Sequence, residues 1–126
     1  MRYTEDYIRE LKDNEIFVFG SNYSGRHGKG AALLALKKFG AIWGQGYGLM
    51  GKSFGICTKD SRLKTLSLDK IEQQVIKFKK FAESNPQYVF LVTKIGCGLA
   101  GYKPKDIRPM FQGCPENVVL PKCFVI

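Results

Sequence analysis

Hydrophobic and polar residues alternate in blocks along this chain, and four short apolar blocks have the composition of β-strands. Residues 16–19 form an uninterrupted run of branched and aromatic side chains, which is typical of a strand buried on both faces. Residues 53–58, 88–92 and 118–120 have a similar character. Strands of this kind usually belong to sheets that are covered by helices, so the pattern indicates an α/β protein.

Between these blocks, apolar residues recur every three or four positions, which predicts helices. The clearest helix begins after Ser67, a favourable N-cap residue, and ends at Asn85, which precedes a proline. The spacing predicts that its buried stripe consists of Leu68, Ile71, Val75, Phe78 and Ala82.

Three shorter segments also have helical patterns. We predict a helix over residues 4–12 with Thr4 as its cap, a helix over residues 31–39, and a helix over residues 104–110 that starts at Pro104. Their predicted inward-facing residues are Tyr7, Ile8 and Leu11 in the first and Leu33, Leu36 and Phe39 in the second.

The alternation of helices and strands predicts one domain over residues 1–126, a three-layer α/β/α sandwich around a mixed, largely parallel sheet. Ligands of such sheets bind beyond the carboxyl ends of the strands. The glycine-rich residues 41–52 are predicted to form a loop with an apolar underside, or a flexible lid. Its Trp43 and Tyr47 can either stack on an adenine or anchor the loop in the core.

The first predicted strand leads into a glycine-rich turn and then into a predicted helix. Residues 20–39 read GSNYSGRHGKGAALLALKKF. Glycines let a ligand approach the backbone closely, and the free N–H groups at a helix N-terminus favour anions, phosphate above all. This segment therefore predicts an anion-binding turn.

A second glycine-rich segment follows the strand predicted at residues 88–92. Residues 96–101 read GCGLAG, a formal match to the G-x-G-x-x-G fingerprint of dinucleotide-binding folds. The match comes late for a βαβ unit, and no acidic residue lies about 20 positions further on. Two glycine segments at the ends of buried strands instead predict a diphosphate held between two backbone cradles.

The net charge of +9 suits an acidic partner, such as a nucleotide, a nucleic acid or an anionic surface, although lysines on an amphipathic helix are often simply solvated. No apolar run approaches the ~20 residues that a membrane span needs, and residues 1–12 lack the apolar centre of a signal peptide. We expect a cytoplasmic protein, monomeric by default and without membrane contact. Four dispersed cysteines and a single histidine indicate reduced thiols, no metal site and no cofactor.

Three segments together resemble the macrodomain superfamily. They are IFVFGSNYSGRHGKGAALLALKKFGA, GQGYGLMGKSFGICTKD and VTKIGCGLAGYKPKDI, in this order along the chain. The sequence looks most like a small macro-domain-like group found in bacteria and their phages, and the later two segments are also similar to macrodomains that remove ADP-ribose from glutamate. The resemblance implies binding of ADP-ribose or a related nucleotide, including ADP-ribose carried by a protein or a nucleic acid.

The resemblance also implies a set of ligand-binding residues. Asn22 matches a position that contacts the distal ribose, and Tyr102 a position where an aromatic or apolar side chain packs on the ribose. The two glycine segments match the two substrate loops of the family, the second of which wraps the diphosphate with its N–H groups. The implied set is Gly20, Ser21, Asn22, Gly28, Gly30, Ala31, Gly96, Cys97, Gly98, Leu99, Ala100, Gly101 and Tyr102.

For catalysis, Lys59 matches the lysine with which the glutamate-directed hydrolases attack the distal ribose. Those hydrolases have an acidic residue where this chain has Ala100, and an amine without a general base is a poor nucleophile unless burial lowers its pKa. Asp60 and His27 are the candidates for the missing acid or base.

Each of these candidates also has a purely structural interpretation: Lys59 as a solvated lysine, Asp60 as a cap, His27 as a loop histidine and Asn22 as a turn residue. The sequence leaves three hypotheses for function. They are a hydrolase of ADP-ribosyl bonds, a non-catalytic module that reads or sequesters an ADP-ribose-like nucleotide, and a basic nucleic-acid-binding protein.

Overall fold

The computed structural model describes residues 2–125 and is built on a five-stranded sheet in the order β2-β3-β1-β4-β5. The strands are β1 (Glu15–Asn22), β2 (Gly48–Met50), β3 (Ser53–Lys59), β4 (Val89–Val92) and β5 (Val118–Val119). The helices are α1 (Gly30–Lys38), α2 (Leu68–Ser84) and α3 (Pro104–Ile107), and short 3₁₀ turns occupy Arg108–Phe111 and Lys122–Phe124.

The sheet is largely parallel, as predicted. β1 lies in the centre and pairs in parallel with both β3 and β4, and β4 pairs in parallel with β5. Alternate residues of β1 point to opposite faces: Phe17 and Phe19 pack with α1, whereas Ile16 and Val18 pack with α2. The sheet is therefore the middle layer of an α/β/α sandwich, which confirms the predicted fold class.

Helix α2 has the predicted bounds because its apolar stripe and its caps agree. The hydroxyl of Ser67 accepts a hydrogen bond from the N–H of Lys70, and Asn85 is the C-cap residue. Four residues of the predicted stripe are buried, and Phe78 meets the rings of Phe54 and Phe90. This aromatic cluster fixes α2 against β3 and β4.

The helix predicted over residues 4–12 is wrong. Thr4 instead donates from its N–H to Leu120 O and from its hydroxyl to Val119 O, so this residue pairs with the end of β5 and the chain just after it, and residues 5–12 form no helix. Ile8 and Leu11 still pack into the core, but Tyr7 is 85% exposed. A short amphipathic segment gains more from pairing with an open strand end than from one or two isolated helical turns.

Helix α1 buries a stripe that only partly matches the predicted one: Phe39 is buried and Leu36 packs on the α1-side cluster, as predicted. Ala32, Ala35 and Phe39 face the sheet, while Leu33 lies outside the α1-side cluster. The buried helical positions are Ala32 and Ala35, one residue before the predicted Leu33 and Leu36, and these small side chains let the helix lie close to Phe17 and Phe19.

The last predicted helix is shorter than expected, since α3 ends at Ile107 and continues as the 3₁₀ turn Arg108–Phe111. Pro109 has no N–H to donate to the previous turn of an α-helix, which explains the change. Residues 41–52 are not entirely loop, because β2 pairs antiparallel with β3 at the sheet edge. No helix within residues 2–125 has the length and apolarity to cross a membrane.

Candidate functional site

The strand order creates a crevice beside β1. From β1 the chain crosses by α1 on one face to β3, and from β3 it crosses by α2 on the other face to β4. The loops that follow β1 and β4 therefore leave the sheet on opposite sides of one gap. Open α/β sheets bind their ligands at such a point.

The loop after β1 ends in the N-terminus of α1, which is not capped by the protein. Lys29 is the N-cap residue and gives no side-chain hydrogen bond, and the first turn has no acidic residue. Leu33 is the first to donate a backbone bond, to Lys29 O at 3.2 Å. Among residues 2–125, nothing accepts from the N–H groups of residues 28–32.

The space in front of this helix end is open. Gly28 and Gly30 are exposed, and a Cβ atom added at either would meet no heavy atom within 4 Å. Helix α2, by contrast, has both the Ser67 cap and Asp69 in its first turn. The N-terminal N–H groups of α2 are thus capped by the protein. The N-terminus of α1, beside the crevice, keeps its partial positive charge available to an anion.

The loop after β4 is fastened at its base and free at its tip. Thr93 donates from its N–H and its hydroxyl to Val18 O of β1. Gly96 has a φ of +78°, and a Cβ there would lie 3.0 Å from Ile107, so both the conformation and the space require glycine. At the tip, the N–H groups of Gly98, Leu99 and Ala100 have no acceptor within residues 2–125.

Several residues implied by the resemblance use their polar groups within this loop instead. The N–H groups of Cys97, Gly101 and Tyr102 donate to Lys94 O, Gly98 O and Gly96 O. The hydroxyl of Tyr102 donates to Leu66 O at 2.7 Å, and the Tyr102 side chain packs on the α2-side core. Burial raises the pKa of the Cys97 thiol to about 11, so it is protonated at neutral pH.

Asn22, at the end of β1, has the structural role that the sequence left open. Its Oδ1 accepts from the N–H of Arg26 and the hydroxyl of Ser24, both at 2.9 Å, and its Nδ2 donates to Arg26 O. The side chain is buried and closes the turn that follows the strand. Asn22 therefore shapes the first loop.

Gly20 and Ser21, also in the implied set, sit within the sheet. Gly20 lies beside Thr58 of β3 and Ile95 of the second loop, and Ser21 is buried with its hydroxyl donating to Gly46 O. Ser21 is therefore not accessible to solvent. Both residues therefore belong to the packed central strand β1.

Lys59 lies beside the first loop, at the end of β3. It is the register partner of Asn22, and its carbonyl accepts from the N–H of Tyr23. The residue is half-buried, and its ammonium group has no hydrogen bond or ion pair within residues 2–125. Of the three catalytic candidates, it is the one whose functional group makes no hydrogen bond at all within residues 2–125.

Asp60 serves as a cap for the next turn. Its Oδ1 accepts from the backbone N–H groups of Arg62, at 2.8 Å, and Lys64, at 3.0 Å. The hydrogen bonds from Lys64 and Arg62 lower the pKa of this carboxyl. A carboxylate stabilised in this way is a weak general base.

His27 is fully buried and holds residues 42–45 against the first loop. Its Nε2 lies 2.9 Å from both Ile42 O and Gln45 O, so this nitrogen carries the proton. Its ring meets Phe19 edge to face, and Nδ1 has no partner within residues 2–125. His27 makes no hydrogen bond with Lys59 or Asp60, so the three catalytic candidates do not form a connected group.

The segment over residues 41–52 is anchored, which argues against a flexible lid. Gly44 donates to Gly25 O, and Gly46 packs so closely on β1 that a Cβ there would overlap Asn22 O. Tyr47 packs edge to face on Phe54, whereas Trp43 is 60% exposed. Tyr47 is thus the anchoring aromatic of the pair.

Sequence reasoning missed the link between the second loop and β3. The hydroxyl of Thr65 donates to Ala100 O at 2.9 Å, and the N–H of Leu66 donates to Thr58 O. The first of these bonds joins residues far apart in the chain, and no local pattern signals it. It brings the segment after Lys59 against the tip of the second loop.

Taken together, the fold and this geometry define an α/β sandwich with a crevice bordered by two sets of unbonded backbone N–H groups. No group of three or more His, Cys, Asp or Glu side chains within residues 2–125 is placed to hold a metal ion. The crevice therefore has the features of an anion site that binds through the backbone.

No family model matches the chain, and no curated protein matches it either. Among solved structures, the chain is similar to a protein of unknown function from Bacteroides thetaiotaomicron. The TM-score is 0.61, the sequence identity is 18%, and the match covers 90% of each chain. A likeness at this identity concerns the fold alone.

Proposed function

We propose that this chain is a cytoplasmic macro-domain-like protein that binds ADP-ribose, or a derivative of it, in the crevice between the loops after β1 and β4. One observation carries the proposal: two separate runs of N–H groups without acceptors, at residues 28–32 and 98–100, follow the two strands that flank the crevice. A diphosphate is the kind of group that two such cradles hold, one on either side.

The absence of competing anions supports this choice of ligand. No side chain caps α1, and Asp60 is tied to its own turn. An incoming phosphate therefore displaces water rather than a protein carboxylate. The sequence segments that resemble macrodomains supply the nucleoside part of the proposal, since N–H groups alone do not distinguish one diphosphate from another.

Calorimetry with ADP-ribose, and with a 20-nucleotide RNA at two salt concentrations, tests the proposal. We expect ADP-ribose to bind with a shallow salt dependence, because few charges are neutralised. Absence of heat with ADP-ribose, together with steeply salt-dependent RNA binding, would instead establish the basic surface as the functional part and reject the proposal.

A matched pair of variants tests the α1 cradle itself. Lys29→Asp places a good N-cap carboxylate where it can accept from the free N–H groups. It should weaken ADP-ribose binding about tenfold, equivalent to 1.4 kcal/mol, and leave stability equal or higher. Lys122→Asp makes the same charge change in the last 3₁₀ turn and should change affinity little. Equal effects of the two variants would show that net charge, not the cradle, attracts the ligand.

Hydrolysis of an ADP-ribosyl bond is a second candidate function, favoured by the uncommitted ammonium group of Lys59 beside the first loop. The neighbouring carboxylate, Asp60, is bonded to its own turn, so we expect slow or no turnover of glutamate-, aspartate- and arginine-linked ADP-ribosyl proteins. Any turnover should disappear in Lys59→Ala. Ala100→Asp, which adds an acid at the second loop, should raise it; turnover that survives Lys59→Ala would exclude the lysine.

A further inference from the structure

A second cleft lies at the outer edge of β3, on the side away from β4. It has a volume of about 460 Å³ and is lined by Tyr23, Tyr47, Cys57, Lys70, Gln73, Gln74 and Lys77. We refer to it as the α2 cleft. It shares Tyr23 with the loop after β1, but its other lining residues lie on α2, on β3 and at residue 47, so β3 and β1 separate it from β4 and the loop that follows β4.

Helix α2 contributes one wall of this cleft with a regular stripe of cationic and amide side chains. Lys70, Gln73 and Lys77 follow each other at three- and four-residue spacing, so they share one face of the helix. None of these three side chains has a hydrogen bond or ion pair within residues 2–125. No carboxylate lines the cleft.

Gln74 closes the floor. Its Oε1 accepts from the N–H of Cys57 at 2.7 Å, and its Nε2 donates to Cys57 O at 2.8 Å. Beyond Cys57, Thr58 and Lys59 pair with residues 65 and 66. The edge of β3 is thus already satisfied, which disfavours a peptide added as a further strand.

The opposite wall is aromatic. Tyr23 is 48% exposed, and Tyr47 is half-buried against Phe54. Aromatic faces stack on nucleobases, ammonium groups contact phosphates, and a free amide can bond a base edge. A cleft of this size also lies in the range of small-molecule sites, ~300–1,000 Å³.

We propose that the α2 cleft binds a nucleoside monophosphate unit, with its base on the tyrosine wall and its phosphate at Lys70 and Lys77. The unit is either a free nucleotide or part of a single strand, and the same chemistry serves both. This proposal does not depend on ADP-ribose binding at the crevice.

Titration of the ¹⁵N-labelled protein with UMP and with octauridylate, followed by NMR, tests it. Chemical shifts should change at residues 23, 70, 73 and 77, including the side-chain amide of Gln73. Tighter binding of octauridylate would identify a single strand as the source, and similar affinities would identify a free nucleotide. No shifts at millimolar UMP, or shifts confined to residues 28–32 and 98–100, would overturn the proposal.

Two double variants with the same charge change test whether binding depends on the lysines of the cleft or on the overall basic surface. Lys70→Ala/Lys77→Ala should weaken octauridylate about tenfold and reduce the salt slope by about 1.4, since each contact with a single strand contributes about 0.7. Lys37→Ala/Lys122→Ala, at exposed positions outside the cleft, should change both little. Equal losses in the two variants would overturn the proposal, as would equally tight binding of octaglutamate at the same salt concentration.

The two proposals, nucleotide binding in the α2 cleft and ADP-ribose binding in the crevice, can be tested independently. ADP-ribose affinity should be unchanged in Lys70→Ala/Lys77→Ala, and octauridylate affinity should be unchanged in Lys29→Asp apart from a small effect of net charge. An octauridylate site that disappears only in Lys29→Asp would place it in the crevice and reject the α2 cleft.

Discussion

At the scale of single residues, the candidate functional side chains mostly build the site instead of lining it. Asn22 closes a turn, Asp60 caps another, and His27 joins two loops. Each of these side chains already bonds to backbone groups, and His27 Nδ1, which has no partner within residues 2–125, is buried. The groups left for a ligand are backbone N–H donors and the ammonium group of Lys59.

The single histidine gives the first prediction. His27→Phe keeps an aromatic ring against Phe19 but removes the donor shared by Ile42 O and Gln45 O. Buried carbonyls that lose a donor cost about 1–3 kcal/mol, so we expect a loss of about 2 kcal/mol in the free energy of unfolding. Urea denaturation measures it.

His27→Gln is the control, because its side-chain amide can still donate. It should recover part of the loss. A His27→Phe protein as stable as the wild type would show that the two carbonyls find other donors.

These roles could not be predicted from the sequence, because they depend on hydrogen bonds to groups that only the fold brings close. From the sequence alone, His27 is compatible with either catalysis or anchoring. The fold brings Ile42 O and Gln45 O to its ring, and these bonds show that it anchors residues 42–45. The glycine segments were more informative, because the close backbone contacts that glycine permits can be read from the local sequence.

At the scale of elements, prediction succeeded where two independent signals coincided. Helix α2 has both an apolar stripe and a cap, and β1 contains the unbroken apolar run of residues 16–19. The segment over residues 4–12 had a stripe of similar spacing, but Thr4 at its start bonds to Val119 O and Leu120 O instead of capping a helix. Strand β2 was missed because its pairing with β3 depends on the glycines packed beneath it.

Those packed glycines give the second prediction. Gly46→Ala would force a methyl group onto Asn22 O, so we expect a loss of about 3 kcal/mol or more, or failure to fold, as in severe overpacking. Gly44→Ala is the matched control. Gly44 has a φ of +97°, but a Cβ there would meet no heavy atom within 4 Å, so only about 1 kcal/mol of stability should be lost through backbone strain.

Thermal unfolding of the two proteins measures the difference. Similar stabilities would mean that the segment over residues 41–47 can lift away from β1, and would restore the flexible lid as an interpretation.

At the scale of the whole molecule, the N-terminal segment completes the sandwich on the α1 side. Ile8 and Leu11 cover that cluster, Lys52 donates to Lys12 O, and Thr4 pairs with the chain beyond β5. Glu15 secures the segment where it enters β1: its two oxygens accept from Lys12 N–H and from Arg2.

Glu15 gives the third prediction, which concerns pH. Burial opposes its charge, but the hydrogen bonds from Lys12 and Arg2 outweigh this and lower its pKa below 4.5. A depressed pKa contributes stability above the unfolded-state pKa, and this contribution is lost as the pH falls through the folded-state value. Glu15→Gln should therefore destabilise the protein by about 1 kcal/mol at pH 7 and much less near pH 3.

Urea denaturation of both proteins at pH 7 and pH 3 measures this, with the exposed Glu5→Gln as the control. An unchanged gap between wild type and Glu15→Gln at the two pH values would show that packing of the side chain, rather than its charge, is responsible.

The central position of β1 also has a consequence for the order of events during synthesis. Glu15 of β1 pairs with Val89 of β4. During synthesis β1 is made well before β4, so the edge of β1 that faces β4 stays unpaired until β4 has been made. Until then an apolar strand lies open to other chains, and the long loop to be closed makes pairing slow. The crevice between the loops after β1 and β4 cannot exist on a partly synthesised chain. Capture of a ligand there would therefore distinguish finished molecules from nascent ones.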